Sequence, residues 1–429
     1  MTETKNLKAQ SSLSKKAYEA PSQLSSPSSS KGVIVNQLCL GQPLVLSNGT
    51  VLKNRIVKSA MSDSLGDGAG NPTEAQTRLY ERWAEGGMAL SIIGEVQIDA
   101  RFPEKPGNLV LGEHSDIDAL RQLTSRGSVN GAHIWPQIGH AGALSHVPVC
   151  SKPKGPSELN IGDLNTAEMS LAEVQKLPET YAKAADIAKL AGFTGIQIHA
   201  GHGFLLSQFL SPLFNHRSDE YGGSVKGRSR IIVEIITKVR QAVGPVFPIG
   251  IKVNTSDLLE GGLTQEDALE VIGILDGTSV DLIELSGGTY FPGAKSSSDS
   301  VSSGPYFVDF AAKARQVTST PLIATGGFKA RYEAVESLNS GAIDMVGVAR
   351  ATILNPSLAN EWLSGIGDPV FPRFESVVPG GITAWYSMLL TALGNDCEQR
   401  FSLDLPTAIR EYEARDASRT IKWKAAFSI

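Results

Sequence analysis

Cysteine is scarce in this chain of 429 residues: Cys39, Cys150 and Cys397 stand far apart. They are too few and too scattered for a disulfide framework or a cysteine zinc site, so a reducing compartment, the cytoplasm, is the expected setting. Long apolar runs are missing too, none approaching the ~18 residues of a membrane span. Charge of one sign is also lacking: 39 Lys and Arg face 44 Asp and Glu, a net charge of -5. No basic block is dense enough to track a phosphate backbone, which argues against nucleic acid as a partner, and the missing apolar runs argue against membrane. Residues 1–33 have few large apolar side chains and runs such as Ser28-Ser29-Ser30, and read as a disordered tail. That stretch holds Glu3 and Glu19, no Arg and no apolar h-region, which argues against a transit or secretion signal.

What is abundant is glycine, 43 residues, set among short β-branched runs that alternate with helical periodicity. Eight runs stand out: Asn54 to Met61, Met88 to Ile98, Ala132 to Ile138, Gly195 to His199, Phe247 to Asn254, Asp281 to Ser286, Pro321 to Thr325 and Ile343 to Val348. Helices are predicted over Thr73 to Glu85, Ile117 to Arg126, Val174 to Leu190, Ser229 to Val243, Gln265 to Leu275, Val308 to Val317 and Arg331 to Asn339. Alternation means a parallel sheet with helical crossovers, and eight repeats match a (β/α)8 TIM barrel better than an open sheet. The expected organisation is a tail over 1–33, a barrel over 34–375, and a C-terminal helical extension over 376–429 with one helix at Ile382 to Leu393 and a charged end.

In such a barrel, chemistry belongs at the C-terminal strand ends. Run seven ends in Thr325-Gly326-Gly327 and run eight in Gly347-Val348-Ala349-Arg350, bare amides and a guanidinium that suit a phosphate; a tight turn and a surface cation are the plainer reading. Run four ends in His199-Ala200-Gly201-His202-Gly203-Phe204. Neutral imidazoles there can hold a substrate carbonyl, ligate a metal, or be structural, although no acid or cysteine lies near them in sequence. Lys252, inside an apolar strand, suits either a Schiff base or the balancing of an anionic ligand.

The segment His199 to Pro212, with Ser207-Gln208 and Ser211 within it, followed by Asn215-His-Arg217-Ser-Asp219-Glu-Tyr221-Gly222-Gly223-Ser224, resembles the signature of the old yellow enzyme family. Similar matches are Asn54 to Met61, Gly131 to Gly142, Glu260-Gly261-Gly262-Leu263 and Thr325-Gly326-Gly327-Phe328, so the likeness spans roughly Leu38 to Leu363. The resemblance implies a non-covalent FMN and NADPH or NADH as reductant. It implies a flavin seat at Ser59, Ala60, Met61, Ser62, Gly94, Glu95, Gln137 and Lys252, and a phosphate seat at Gly326, Gly327, Ala349 and Arg350. It gives His199 and His202 the substrate oxygen, with Phe204 lining the substrate, and no metal.

The implied reaction is NAD(P)H-driven reduction of an α,β-unsaturated carbonyl, the small-molecule partner being an enone or related electron-poor alkene. Oligomeric state is not readable. Phe204 stands where many relatives carry the tyrosine that gives the α-carbon its proton. This leaves an alternative, an NAD(P)H oxidase or a flavin-dependent oxidation or isomerisation in secondary metabolism. Ser62 replaces Thr or Cys, Ala143 an Arg, Ala349 a Gly, and Lys226-Gly227 the usual Glu-Asn.

Overall fold

The computed structural model describes residues 40–150, 152–291, 304–374 and 378–429; the expected tail lies outside them. Eight strands form the frame: β1 (Ile56–Lys58), β2 (Leu90–Gln97), β3 (His133–Gly139), β4 (Ile196–Ala200), β5 (Ile249–Asn254), β6 (Leu282–Ser286), β7 (Leu322–Thr325) and β8 (Met345–Val348). Each lies within a residue of its expected run. All pair in parallel with the next, and β8 returns to β1 through Val348↔Lys58, which closes the ring. The chain is therefore a (β/α)8 barrel. A short strand, Leu109–Val110, adds to the C-terminal end of β2.

Twelve described helices surround or extend the barrel: α1 (Glu74–Glu85), α2 (Ile117–Gly127), α3 (Leu171–Leu190), α4 (Leu205–Leu210), α5 (Val225–Val243), α6 (Gln265–Asp276), α7 (Val308–Ala314), α8 (Arg331–Asn339), α9 (Arg350–Leu354), α10 (Leu358–Leu363), α11 (Gly381–Gly394) and α12 (Leu405–Phe427). Six of them start on a side-chain cap, at Thr73, Asp116, Ser170, Ser224, Thr264 and Asp404. Ser170 and Glu173 form a capping box, so α3 begins three residues before the periodic run, and Ser224 starts α5 four residues early.

The N-terminal end of the barrel is plugged. A hairpin, Leu44–Val45 with Val51–Leu52, packs Leu44, Leu46 and Leu52 with Trp135, Val57, Leu90, Ile92 and Met345. Trp135 needs bare backbone beside it: a Cβ on Gly195 would stand 2.5 Å from its Cε2.

Between β3 and α3 the chain makes a three-stranded excursion, Lys154–Gly155, Leu159–Ile161 and Leu164–Glu168. Buried Arg217 holds it, donating to Pro156 O at 3.0 Å and Met169 O at 2.6 Å. The charged C-terminal end, given no element from sequence, is the helix α12. It packs on α11, which packs on α1. Fully buried Trp423 donates Nε1–H to Ala100 O at 2.8 Å, and Arg419 donates to Ser64 O. Thus α12 lies over the loops after β1 and β2, on the C-terminal rim. No described helix is long and apolar enough to cross a membrane.

Candidate active site

Polar residues recur at every second position where apolar ones are expected: Gln197 and His199 on β4, Lys252 and Asn254 on β5, Glu284 and Ser286 on β6. Period two sends each pair to one side, and all six are buried. Register places His199 beside Lys252 and Lys252 beside Glu284. A polar chain results. Gln137 Nε2 donates to Gln197 Oε1 at 2.6 Å, and Gln197 Nε2 donates to Glu284 Oε2 at 2.6 Å. Thr325 Oγ1 donates to Glu284 Oε1 at 2.7 Å, with Ser59 Oγ 2.7 Å from Thr325 Oγ1. Lys252 Nζ meets Glu284 Oε1 at 3.1 Å. Burial alone would raise the Glu284 pKa, but Lys252, Gln197 and Thr325 outweigh it and hold the carboxyl below its ordinary value. An ammonium ion-paired in this way is no free amine, which weighs against a Schiff-base lysine.

The histidine pair stands above this chain. His199 Nε2 is 3.1 Å from His202 Nδ1, and His202 Nε2 is 2.8 Å from Ser286 Oγ. His202 adopts φ 59, a conformation few L residues hold. Its N–H donates to Asn254 Oδ1 at 2.9 Å and its carbonyl accepts from Tyr290 N at 3.1 Å. Burial first, then the nearby Lys252 charge, keeps the His199 pKa well below its ordinary value; burial and His199 do the same for His202. Both rings are neutral at pH 7. The fold also supplies an acid that sequence proximity hides: Glu95 Oε2, from β2, lies 3.3 Å from His199 Nδ1. Burial pushes its pKa up to about 8. Among the described residues no three His, Cys, Asp or Glu side chains converge on a point that suits a metal. Phe204 is buried with its ring 5.0 Å from that of His199, and Tyr290 brings a phenol 5.8 Å from both Phe204 and His202, ring to ring. Sequence distance hides Tyr290 as well: it follows β6, two strands along from β4, and a backbone bridge between Thr289 and His202 brings it to the pair.

Beside the pair, the β2–β3 ladder slips between Ile93 and Val96, so Gly94 and Glu95 bulge. A Cβ on Gly94 would stand 3.0 Å from Ala60 Cβ, 3.1 Å from Met61 N and 3.3 Å from Gln137 Oε1, so these expected neighbours do meet. Ser62 is already engaged: its Oγ donates to Glu104 Oε2 at 3.1 Å and accepts from Asn108 Nδ2 at 3.3 Å, partners the sequence did not reveal. At the other side, Gly326 at φ 133 and Gly327 at φ 85 end β7 in backbone that only glycine adopts readily. Ala349 and Arg350 follow β8, the neighbouring strand. Among the described residues, Arg350 touches only the Tyr386 ring, at 5.8 Å, and has no carboxylate or carbonyl partner. An unpaired guanidinium beside bare amides suits a phosphate, and an amide, an ammonium and a narrow glycine-lined wall suit a flavin ring, so the residues fit FMN.

Fold and site together define a flavin-binding (β/α)8 oxidoreductase. Residues 40–368 match the model of the NADH:flavin oxidoreductase / NADH oxidase family, and the chain belongs to that family, the old yellow enzyme group. It is 34% identical over 360 residues to the NADH-dependent flavin oxidoreductase iliE of Neonectria sp., covering 76% of this chain and 47% of that protein, about half of it. It is 32% identical over 348 residues to iliE of Hypocrea jecorina, covering 74% and 86%. Among solved structures, morphinone reductase superposes with TM-score 0.66 at 24% identity, covering 77% of this chain and 91% of that one. The old yellow enzyme homologue of Zymomonas mobilis gives 0.66 at 23%, covering 77% and 93%. At these identities the structural likeness is one of fold. Family membership makes the chain an NAD(P)H:flavin oxidoreductase with FMN as cofactor and a reduced nicotinamide as reductant.

Proposed function

We propose that the chain reduces the alkene of a small α,β-unsaturated carbonyl compound. The observation that carries this is the pair of neutral imidazoles, His199 and His202, held over an ion-paired floor and next to the flavin seat. When bound, FMN supplies hydride exchange between the nicotinamide and the alkene. The protein's own residues do the rest. Ser59, Ala60, Met61, Ser62, Gly94, Glu95, Gln137 and Lys252 would hold the flavin ring, and Gly326, Gly327, Ala349 and Arg350 would hold its phosphate. A substrate oxygen entering between His199 Nε2 and His202 Nδ1 would replace their mutual contact and take an N–H from each, with Ser286 donating to His202 Nε2; the charge drawn onto that oxygen lowers electron density at the β-carbon. Phe204 packs against the bound substrate and has no proton to give.

Tyr290 is the phenol in ring contact with both His202 and Phe204. It is 65% exposed, so water can return a proton to Oη after one leaves for the α-carbon. The test is a spectrum and a turnover assay. The purified protein reconstituted with FMN is expected to be yellow and to consume NADH or NADPH with 2-cyclohexenone. A chain that takes up no flavin, or that passes electrons only to O2, overturns the reading, the second result favouring the oxidase alternative that Phe204 raises. His199→Ala with His202→Ala is expected to abolish the charge-transfer band of bound p-chlorophenol while FMN stays bound. Tyr290→Phe is expected to slow alkene reduction at least tenfold without changing flavin reduction by NADH or NADPH. Adding Phe204→Tyr is expected to restore the rate, and an unchanged rate in Tyr290→Phe would remove that residue from the proton path.

A further inference from the structure

His199 turns Nε2 to His202, and its other ring nitrogen, Nδ1, is buried with Glu95 Oε2 at 3.3 Å and no other polar partner among the described residues. Two features of the barrel wall bring that carboxyl and that nitrogen together. The slip in the β2–β3 ladder sets Ile93 opposite Pro136 and then Val96 opposite Ile138, so Gly94 and Glu95 share Gln137 as partner and the bulge re-aims the Glu95 side chain. On β3, Gly139 leaves the room they need: a Cβ there would stand 3.3 Å from His199 Cβ and 3.4 Å from Glu95 Oε2.

The His199 ring is neutral and carries one proton, and which nitrogen holds it is set by what the other one meets. Two arrangements satisfy the contact at Nδ1. An ionised Glu95 accepts an N–H from Nδ1 and leaves Nε2 bare, whereas a protonated Glu95 donates its O–H to a bare Nδ1 and leaves the N–H on Nε2. Burial, opposed by Lys252 on β5, pushes the Glu95 pKa up to about 8, so the second arrangement is the one present at pH 7. The other titratable groups near Glu95 are Glu104 in the loop after β2, Tyr181 on α3 and Tyr290 after β6. Neither phenol ionises in the range where Glu95 does. Glu104, its pKa pushed up to about 7 by burial, is bonded to Ser62 and Asn108 rather than to His199.

We infer that Glu95 is a positioning residue: as a carboxylic acid it donates to His199 Nδ1 and so keeps the imidazole N–H on Nε2, the atom that serves the substrate oxygen. It rests on the reductase reading only for that oxygen. When the acid ionises, its oxygens face the Nδ1 lone pair, and moving the ring proton from Nε2 to Nδ1 relieves the contact. The histidine pair then offers one N–H instead of two.

The test is long-range proton–nitrogen correlation NMR of the full chain, labelled with nitrogen-15 in its seven histidines and loaded with oxidised FMN, between pH 6 and pH 10. The resonances lost in His199→Gln assign the ring. Nε2 is expected to carry the proton at low pH, and the proton to pass to Nδ1 as pH rises through about 8. Glu95→Gln, whose amide donates at every pH, is expected to hold Nε2–H throughout, and Glu104→Gln to leave the exchange in place. A proton on Nδ1 at pH 6, no exchange up to pH 10, or an exchange that survives Glu95→Gln or vanishes in Glu104→Gln would overturn the inference. Should Glu95→Gln fail to fold, the titration of the unaltered chain decides. Affinity for 2-cyclohexenone, which has no proton to lose in this range, is read from the flavin spectrum of the same samples. It is expected to fall about fivefold across the exchange, the loss of one hydrogen bond, and to stay level in Glu95→Gln. An exchange without that fall would sink the reductase reading of the histidines and leave the role of Glu95 at Nδ1 standing.

Discussion

A carboxyl group buried beside a neutral imidazole keeps its proton to unusually high pH, and at Glu95 this couples the stability of the fold to pH. Its pKa rises from 4.5 to about 8, caused first by burial and opposed by Lys252. The folded chain therefore binds more protons than the unfolded one between those values. The group's stabilising contribution is complete below about 4.5 and is lost as pH rises through about 8. Glu95→Gln is expected to remove this slope, a few kcal/mol at most, from urea midpoints measured between pH 5 and 8. A slope that persists would place the proton uptake elsewhere. Lys58 works in the opposite sense. Burial lowers its pKa to about 7, so the penalty of charging it is present below that value and fades toward 10.5. The sequence makes His199, His202, Gln137, Lys252 and Arg350 visible as candidates, since each ends or interrupts an apolar run. It hides Glu284, Thr325, Glu104 and Tyr290 as their partners, because those pairings cross strands far apart in the chain. The alternation of Gln197, Lys252 and Glu284 within apolar strands was the available clue.

The turn after β4 is the element on which the site depends. Holding His202 at φ 59 costs about 1–2 kcal/mol in a non-glycine residue. The turn is held by Asn254, and by Gln208, which donates to Gly203 O at 2.7 Å and accepts from Ala143 N at 3.1 Å. Asn254→Ala is expected to destabilise the chain by about 1–3 kcal/mol and to weaken p-chlorophenol binding, with FMN retained. Unaltered phenol affinity, read by difference spectroscopy, would mean that the imidazole position does not depend on this bond. Much of the family signature beyond the turn proves structural: Asn215 donates to Phe209 O and Tyr221 O, and Arg217 pairs with Asp219. Element starts were less legible than element existence, since Ser170 and Ser224 act through single hydroxyls that periodicity ignores. Helix α12 was missed although Asp404 caps it and Pro406 stands in its first turn, because its few buried residues are spread along a mostly charged surface. Trp423→Ala is expected to cost about 3–5 kcal/mol of that helix's docking, seen as faster proteolysis within 405–429.

At the scale of the whole molecule, ring closure brings β8 beside β1, with β7 next to β8, so that Ser59 and Thr325 share a hydrogen bond across most of the chain. Closure was legible from the count of eight runs, whereas the plug of Leu44, Leu46 and Leu52 was not, for it depends on tertiary fit to Trp135. Because FMN binds only the closed ring, it is expected to stabilise the fold by about 2.7 kcal/mol when free flavin is 100-fold over its Kd. Arg350→Ala is expected to weaken FMN binding while leaving the flavin-free Tm nearly unchanged, since among the described residues the guanidinium has a ring contact alone to lose. A large fall in that Tm would assign Arg350 to the scaffold.

The plug and the last helix sit at opposite ends of the barrel, and that polarity can be put to use. Ile429, partly exposed, closes the helix that borders the mouth, whereas the hairpin at Leu44 seals the far end. A fluorophore attached at residue 429 should act as a proximity gauge for molecules arriving at the flavin, while one placed on the hairpin, at exposed Val45, should stay silent and serve as its internal reference.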